Sequence, residues 1–207
     1  TWSSNRRNVL CDGCGERSPS GLSHLGVAVA HELERNGILP DVSHLSDASF
    51  WDLVQNTKGP IVASHSNTRA IQPSARNLGD DQIKAIADRG GFIGTSTYPT
   101  LVSTQKPSVE ILADHVMHIG RLVGFEYVAI GTDMTGFLGN LFDATIHRID
   151  PSGALYTRDA GSMPTAGISV YEEVNNLLRV LSQRGLTDAQ LELVAYKNFL
   201  RVLGSVE

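Results

Sequence analysis

The chain has 207 residues, 41% of them hydrophobic and 19% charged, which is the composition of a globular protein long enough to bury a sizeable core. Its formal net charge of −5, without a cluster of basic residues, argues against a nucleic-acid partner. The sequence has no run of about 18 uncharged apolar residues, and its first residues lack the apolar core of a signal peptide, so we expect a soluble protein.

The only two cysteines, Cys11 and Cys14, form a single CxxC pair. Such a pair can be redox-active or half of a zinc site, but the zinc interpretation requires a second pair, which this sequence lacks. A structural or incidental role is therefore favoured. Because no disulfide framework is present, a reducing compartment and a cytoplasmic location are expected.

Four short segments rich in Ile, Val or Leu are typical of buried strands, and they cover residues 37–44, 60–65, 91–98 and 127–133. Segments with helical spacing surround them, at 22–36, 47–57, 80–89, 109–123, 170–184 and 188–203. Strands that are apolar on both faces and alternate with helices predict an α/β fold with a parallel sheet.

The four predicted strands end in residues that can bind or react, namely His44, His65, Tyr98 and Asp133. In (β/α)8 TIM barrels the active site is assembled from the carboxyl ends of the strands. We therefore interpret residues 1–207 as one portion of a domain, corresponding to about strands 5–8 of such a barrel. The long aperiodic stretch at 134–167 would lie over the barrel mouth as a lid.

His44 and His65 are the strongest candidates for chemistry. Each closes a buried strand and each follows a serine. Neutral imidazole is a good zinc ligand, and two histidines at neighbouring strand ends would converge on one point. The alternative is a pair of hydrogen-bonded histidines that only cap their strands.

Asp133 and Arg76 are further candidates. A carboxylate at the last strand end can orient or deprotonate an attacking water, although Asp133 could also be a helix N-cap. Arg76 lies in the loop after the second strand and could clamp a carboxylate, yet on spacing alone a surface arginine is favoured. The remaining histidines are weaker candidates: His24, His31, His115 and His118 on helices, and His147 in the long loop.

These residues together resemble the membrane or renal dipeptidases, peptidase family M19, which are metal-dependent amidohydrolase barrels. The resemblance is carried in order and spacing by residues 37–47, 60–67, 76–83 and 129–133, and it extends over essentially the whole chain.

The resemblance implies a binuclear zinc site, with His44 and His65 binding one of the two Zn²⁺ ions. It further implies that Arg76 holds the carboxylate of a dipeptide substrate, that Tyr98 lies near the substrate and that Asp133 positions or activates the attacking water. The implied reaction is hydrolysis of the amide bond of a dipeptide by a metal-bound hydroxide.

The sequence also departs from the family pattern. The family's His-x-Asp pair and bridging glutamate belong to the first half of the barrel, which would precede this chain. In the family's Thr-His-x-x-Asn segment, Trp2 replaces the histidine, and Thr135 replaces the second carboxylate of Asp-Phe-Asp-Gly.

Four strands alone would leave two open sheet edges and an incomplete metal site. We therefore expect a complementary N-terminal half-barrel or partner chain, and an oligomeric assembly. The competing hypothesis is a non-catalytic half-barrel with an assembly or regulatory role, which Trp2 and Thr135 favour.

Overall fold

The fold was analysed in a computed structural model that describes residues 1–134 and 164–205. Helices make up most of its regular structure, and two strands, β1 (Ile93–Thr95) and β2 (Val128–Ile130), pair in parallel. The register places Ile93 opposite Val128 and Thr95 opposite Ile130. The expected lid falls mostly outside the described residues, as do His147 and Thr135.

Two further extended segments continue the parallel arrangement through single bridges. Asp41 bridges Val62, and Ala63 bridges Ile93. The four segments therefore lie side by side in chain order, as predicted, but all are shorter than expected. The strands expected at 91–98 and 127–133 have three residues each, and those expected at 37–44 and 60–65 pair only through single bridges.

The side chain of Asp41 explains why these two segments do not form longer strands. Its Oδ1 accepts the backbone N–H groups of Ser43 at 3.0 Å and Ser64 at 2.9 Å. Those amides are thereby withdrawn from pairing between the two segments, since a side-chain acceptor competes with the ladder for the same donors.

Helices follow the extended segments as predicted, with small differences at their ends. They are α1 (His24–Arg35), α2 (Asp47–Asn56), α3 (Asp80–Asp88), α4 (Pro99–Val102), α5 (Val109–Val123), α6 (Val174–Gln183), α7 (Asp188–Glu192) and α8 (Asn198–Leu203). Serine side chains cap the amino ends of α1, α2 and α5. The short helix α4 was not predicted, and it begins with Pro99 at its first position.

The predicted last helix, 188–203, is interrupted by a π-helical turn at Leu193–Lys197 between α7 and α8. Similarly, the predicted helix at 170–184 begins with a 3₁₀ turn at Tyr171–Glu173 before α6. A second 3₁₀ turn, Phe125–Tyr127, leads into β2.

The sheet buries residues on both faces, as its apolar strands predicted. One face, with Ile61, Ile93 and Val128, belongs to the main core formed with the helices. On the other face, Val62, Phe92 and Ala129 form a smaller cluster with Val202 of α8. Alternation of side chains along the strands thus places neighbouring residues in separate apolar layers.

Arg201 attaches α8 to the amino ends of the strands. Its guanidinium donates to the carbonyl oxygens of Gly90, Gly91 and Glu126 at 2.8–3.0 Å and lies 5.5 Å from the ring centre of Tyr127. These contacts hold the terminal helix at the end of the sheet opposite to His44 and His65.

Gly94 and Gly131 permit the backbone of the neighbouring segment to approach closely. A Cβ atom on either glycine would collide with the carbonyl oxygen of Ser64. The close approach occurs one residue before His65, so these glycines help to set the position of that histidine.

Replacing Gly94 by alanine should therefore destabilise the protein. We expect the free energy of unfolding to fall by about 1–3 kcal/mol, because the added methyl group overpacks a rigid backbone contact. Urea denaturation of the intact protein measures this change. The control is Gly204→Ala, where the nearest atom lies 3.5 Å from the new Cβ; its stability should be unchanged or higher by up to about 1 kcal/mol. Equal stability of the two variants would contradict the role of Gly94.

Candidate metal and substrate site

The carboxyl ends of the parallel segments bring several of the predicted site residues to one edge of the sheet. His44 and Asp133 both have left-handed backbone conformations, with φ of 74° and 55°. Non-glycine residues seldom adopt this conformation, and where they do the surrounding structure must hold it. The backbone thus turns sharply at two of the strand ends.

His44 and His65 lie in direct contact. Their Nε2 atoms are 2.9 Å apart, and their ring centres are separated by 4.9 Å with the planes inclined at 60°. The structure therefore brings the two histidines together at one point, rather than placing them on opposite faces of the sheet.

Both imidazoles are kept neutral by their surroundings. Burial, together with the positive charge of Arg76, lowers the pKa of His44 to about 3. The same two causes lower the pKa of His65. Neutral imidazole is the form that coordinates metal ions, so the electrostatics of the pair suit metal binding.

A short relay holds the other nitrogen of His65. The Ser64 hydroxyl lies 2.6 Å from His65 Nδ1 and donates its own hydrogen to Asp41 Oδ2, also at 2.6 Å. Burial opposes ionisation of Asp41, but the hydrogen bonds from Ser64 and Ser43 lower its pKa overall. Because the hydroxyl hydrogen is committed to the carboxylate, His65 must donate from Nδ1, and its Nε2 carries a lone pair.

Arg76 lies next to the histidine pair. Its Nη1 donates to Ser66 Oγ and its Nη2 to the carbonyl oxygen of His65, each at 2.9 Å. The guanidinium is thus oriented by the segment that carries His65, and its charge acts on both imidazoles.

Asp133 and Tyr98 occupy the neighbouring strand ends. Asp133 is exposed. Partial desolvation raises the pKa of its carboxyl group, and the nearby His65 and Arg76 oppose that rise. Tyr98 is half-buried and precedes α4, with its backbone N–H donating to Ser96 Oγ at 3.1 Å.

Comparison with known proteins identifies the family of the chain. The family model of the membrane dipeptidases, peptidase family M19, matches residues 1–143. The chain belongs to this family. The resemblance predicted from the sequence is thereby confirmed.

Curated relatives of this M19 chain include two fungal dipeptidases. Dipeptidase aclJ of Aspergillus oryzae is 32% identical over 90% of this chain and 39% of its own length. Dipeptidase tcpJ of Claviceps purpurea is 28% identical over 98% of this chain and 43% of its own length. The M19 chain therefore spans less than half the length of these relatives.

Solved structures share the α/β fold. An amidohydrolase from Pseudomonas aeruginosa superposes with a TM-score of 0.85 and 29% identity, covering 98% of this chain and 62% of that one. A metallopeptidase from Rhodobacter sphaeroides, liganded with a phosphinate mimic of the dipeptide L-Ala-D-Ala, superposes with a TM-score of 0.78. At 21% identity, covering 98% of this chain and 54% of that one, the second likeness shows the fold alone.

Within the described ranges, His44 and His65 are the two neighbouring side chains suited to bind a metal. Among residues 1–134 and 164–205, no three side chains of His, Cys, Asp or Glu come together as a metal site. The two neutral imidazoles fit zinc chemically, but they are fewer than the four ligands of a usual zinc site.

In the part of the chain that the structure describes, no helix is long and apolar enough to cross a membrane.

Sequence reasoning missed two residues that contact the histidine pair, Asn5 and Ser64, and also Asp41, which binds Ser64. Ser64 could have been noticed, since a serine precedes each histidine, but the sequence gives no sign that its hydroxyl bonds Asp41. Asn5 belongs to the family's Thr-His-x-x-Asn segment, but its contact with His44, 39 positions away, has no signal in the sequence. Both cysteines are free thiols, and Cys14 lies against Asn5.

The helical histidines lie outside this cluster. His118 contacts Asp80 at 2.8 Å, and His31 contacts the carbonyl oxygen of Asn56 at 2.9 Å. His115 is buried in α5, where its Nδ1 accepts the backbone N–H of Thr68 at 3.2 Å and its Nε2 donates to the Val102 carbonyl at 3.0 Å. It therefore supports the start of the loop that carries Arg76.

The buried His115 should make stability depend on pH. Burial lowers its pKa in the folded state, so below the unfolded value of about 6.5 the unfolded chain binds more protons. The free energy of unfolding should fall as the pH drops from 7.5 to 5.5, and it should fall less in His115→Gln. Urea titrations of the intact protein at the two pH values measure this. An exposed histidine, His24, supplies the control variant His24→Gln. Equal pH dependence of wild type and His115→Gln would contradict the prediction.

Proposed function

We propose that this chain forms part of a zinc-dependent dipeptidase that hydrolyses the amide bond of dipeptides. The observation that carries the proposal is the contact between two neutral imidazoles, His44 and His65, whose Nε2 atoms lie 2.9 Å apart at the carboxyl ends of parallel segments. Membership of peptidase family M19 supports the same reaction.

In the proposed site, His44 and His65 would hold one Zn²⁺ ion through their Nε2 atoms. Bound zinc supplies Lewis-acid polarisation of the scissile carbonyl and lowers the pKa of water. The remaining ligands of a binuclear site come from outside the described residues.

Asp133 accepts or holds a proton of the attacking water in this proposal. Its carboxyl pKa is raised by desolvation, which makes the carboxylate a stronger base. Tyr98, on the neighbouring strand end, lies beside the substrate. Arg76 binds the free carboxylate of the dipeptide through its guanidinium, since a planar fork suits a carboxylate.

We also propose that the chain is the C-terminal half of a (β/α)8 barrel and that it works with a complementary N-terminal half, in an oligomeric assembly. Within the described residues, neither the outer edge of the segment at Asp41 nor that of β2 pairs with another strand. In addition, a stripe of large apolar side chains on the last helical turns is 45–55% exposed: Tyr196, Phe199, Leu200 and Leu203. Open edges and exposed apolar surface are normally covered in a complete domain.

A cytoplasmic location remains a prediction.

One observation favours the second candidate, a non-catalytic half-barrel with an assembly or regulatory role. Trp2 stands where the family pattern has a histidine, and its side chain is partly buried against the main core. An indole cannot transfer a proton as imidazole does. In this alternative, His44 and His65 would still be present but would not support hydrolysis.

Zinc content and dipeptide hydrolysis, measured on the intact protein and its His65→Ala variant, test the proposal. We expect the wild type to bind zinc and hydrolyse dipeptides when it is assembled with its N-terminal half, and not as the 207-residue chain alone. His65→Ala should lose more than about 100-fold in zinc affinity, exceeding the effect of removing an outer-shell residue. His118→Ala, which removes a histidine distant from the pair, is the control and should retain both properties. Zinc binding without hydrolysis in the wild type would favour the non-catalytic alternative, and absence of zinc binding would reject the proposed site.

Arg76→Lys tests the class of substrate. The lysine keeps the charge but loses the two-pronged contact, so KM for dipeptides should rise roughly tenfold to hundredfold, corresponding to about 1.5–3 kcal/mol of binding free energy. The measurement compares steady-state kinetics on free and amide-capped dipeptides in the protein assembled with its N-terminal half. Capped dipeptides lack the carboxylate and should be nearly indifferent to the substitution. Equal losses on both would show that Arg76 acts only through its contacts with Ser66 and His65.

A further inference from the structure

We propose that Asn5 is a positioning residue that fixes the tautomer of His44, and that it does so because Cys14 orients its side-chain amide. The inference rests on the proposed function, since it concerns how His44 presents a lone pair to a metal. Asn5 and Cys14 lie in the irregular amino-terminal segment, and neither takes part in the proposed reaction.

The contact between Asn5 and His44 is short and sheltered. The Oδ1 atom of Asn5 lies 2.6 Å from Nδ1 of His44, and Asn5 is 6% exposed. Its backbone is left-handed, with φ of 61°, and its carbonyl oxygen accepts the N–H of Gly15 at 2.7 Å. A side chain at Gly13 would collide with the Asn5 backbone, so the backbone at Asn5 packs closely against that at Gly13.

Cys14 determines which atom of the amide faces His44. Its Sγ donates to Asn5 Oδ1 at 3.0 Å, while its backbone N–H donates to the carbonyl oxygen of His44 at 2.8 Å. The three residues thus close a ring of contacts in which Oδ1 is the common acceptor. A thiol hydrogen directed at Oδ1 leaves that oxygen to accept a second hydrogen, and His44 Nδ1–H supplies it.

A proton on Nδ1 leaves the Nε2 atom of His44 with a lone pair. His65 has the same tautomer because of Ser64 and Asp41, as described above. Two lone pairs therefore face each other across 2.9 Å, an arrangement without a hydrogen between them that suits a shared cation. Were His44 to carry its proton on Nε2 instead, it would donate to His65 Nε2, and this hydrogen bond would compete with a metal.

Asn5 therefore keeps the two histidines from bonding to each other. The two supports differ in charge, since His65 is backed by the ionised Asp41 through Ser64, whereas His44 is backed by a neutral amide. Aspartate has nearly the same shape as asparagine but carries a charge, so Asn5→Asp is a conservative variant for the experiment.

The test uses the intact protein and three variants. Asn5→Gly removes the amide and tolerates the left-handed backbone. Asn5→Asp keeps an acceptor for both His44 and Cys14 in a residue that also visits this conformation. Asn8→Gly is the matched control, because Asn8 lies in the same segment and bonds Trp2, Leu10 and Cys11 but neither histidine.

Two readouts are compared: the ¹⁵N chemical shifts of the His44 ring nitrogens in metal-free protein, and the affinity for Zn²⁺ from competition with a chromophoric chelator. We expect an Nδ1–H tautomer at His44 in wild type, Asn5→Asp and Asn8→Gly. In Asn5→Gly the tautomer should shift toward Nε2–H, and Zn²⁺ affinity should fall about 10–100-fold. Asn5→Asp should bind Zn²⁺ at least as tightly as wild type.

An Nε2–H tautomer at His44 in wild type would overturn the inference, as would an Asn5→Gly variant with unchanged tautomer and affinity. If Asn5→Gly fails to fold, the wild-type tautomer and the affinity of Asn5→Asp decide the question. A wild-type protein with the Nδ1–H tautomer but no affinity for Zn²⁺ would reject the proposed metal site while leaving the positioning of His44 by Asn5 supported by the ring shifts alone.

Discussion

The carboxylate of Asp41 is the interaction on which the arrangement of this site depends. It takes the backbone amides of Ser43 and Ser64 and the hydroxyl of Ser64, all within 2.6–3.0 Å. By doing so it ends the pairing of two parallel segments just before His44 and His65. One partly buried carboxylate thus ends the sheet just before the two histidines, and hydrogen bonds lower its pKa although burial opposes this.

The rest of the sheet is built so that this edge can form. Gly94 and Gly131 allow the chain at Ser64 to approach within contact of its neighbours. Apolar residues on both faces of the segments pack against the helices and fix the position of the segments relative to the helices. The precision of the histidine pair is therefore a property of backbone packing as much as of the two side chains.

The sequence predicted the α/β alternation and the ends of most helices, because apolar spacing and serine caps are local signals. It also predicted that His44, His65 and Asp133 lie at strand ends, because each follows a short apolar run; their roles, and that of Arg76, stay predictions. The short first two strands could not be predicted, since the competition by Asp41 for backbone donors exists only after the chain has folded. The contact between Asn5 and His44 escaped prediction for the same reason, since the two residues lie 39 positions apart along the chain.

The hydrogen bonds of Arg201 with Gly90, Gly91 and Glu126 give the two ends of the sheet different roles. Its contacts secure the amino ends of the strands, whereas the polar residues of the site occupy the opposite ends. Substitutions among the polar residues can consequently change ligand preference without weakening the packing at the amino ends of the strands. A chain organised in this way tolerates drift in specificity over evolutionary time, because a change of substrate need not be accompanied by compensating repairs elsewhere in the core.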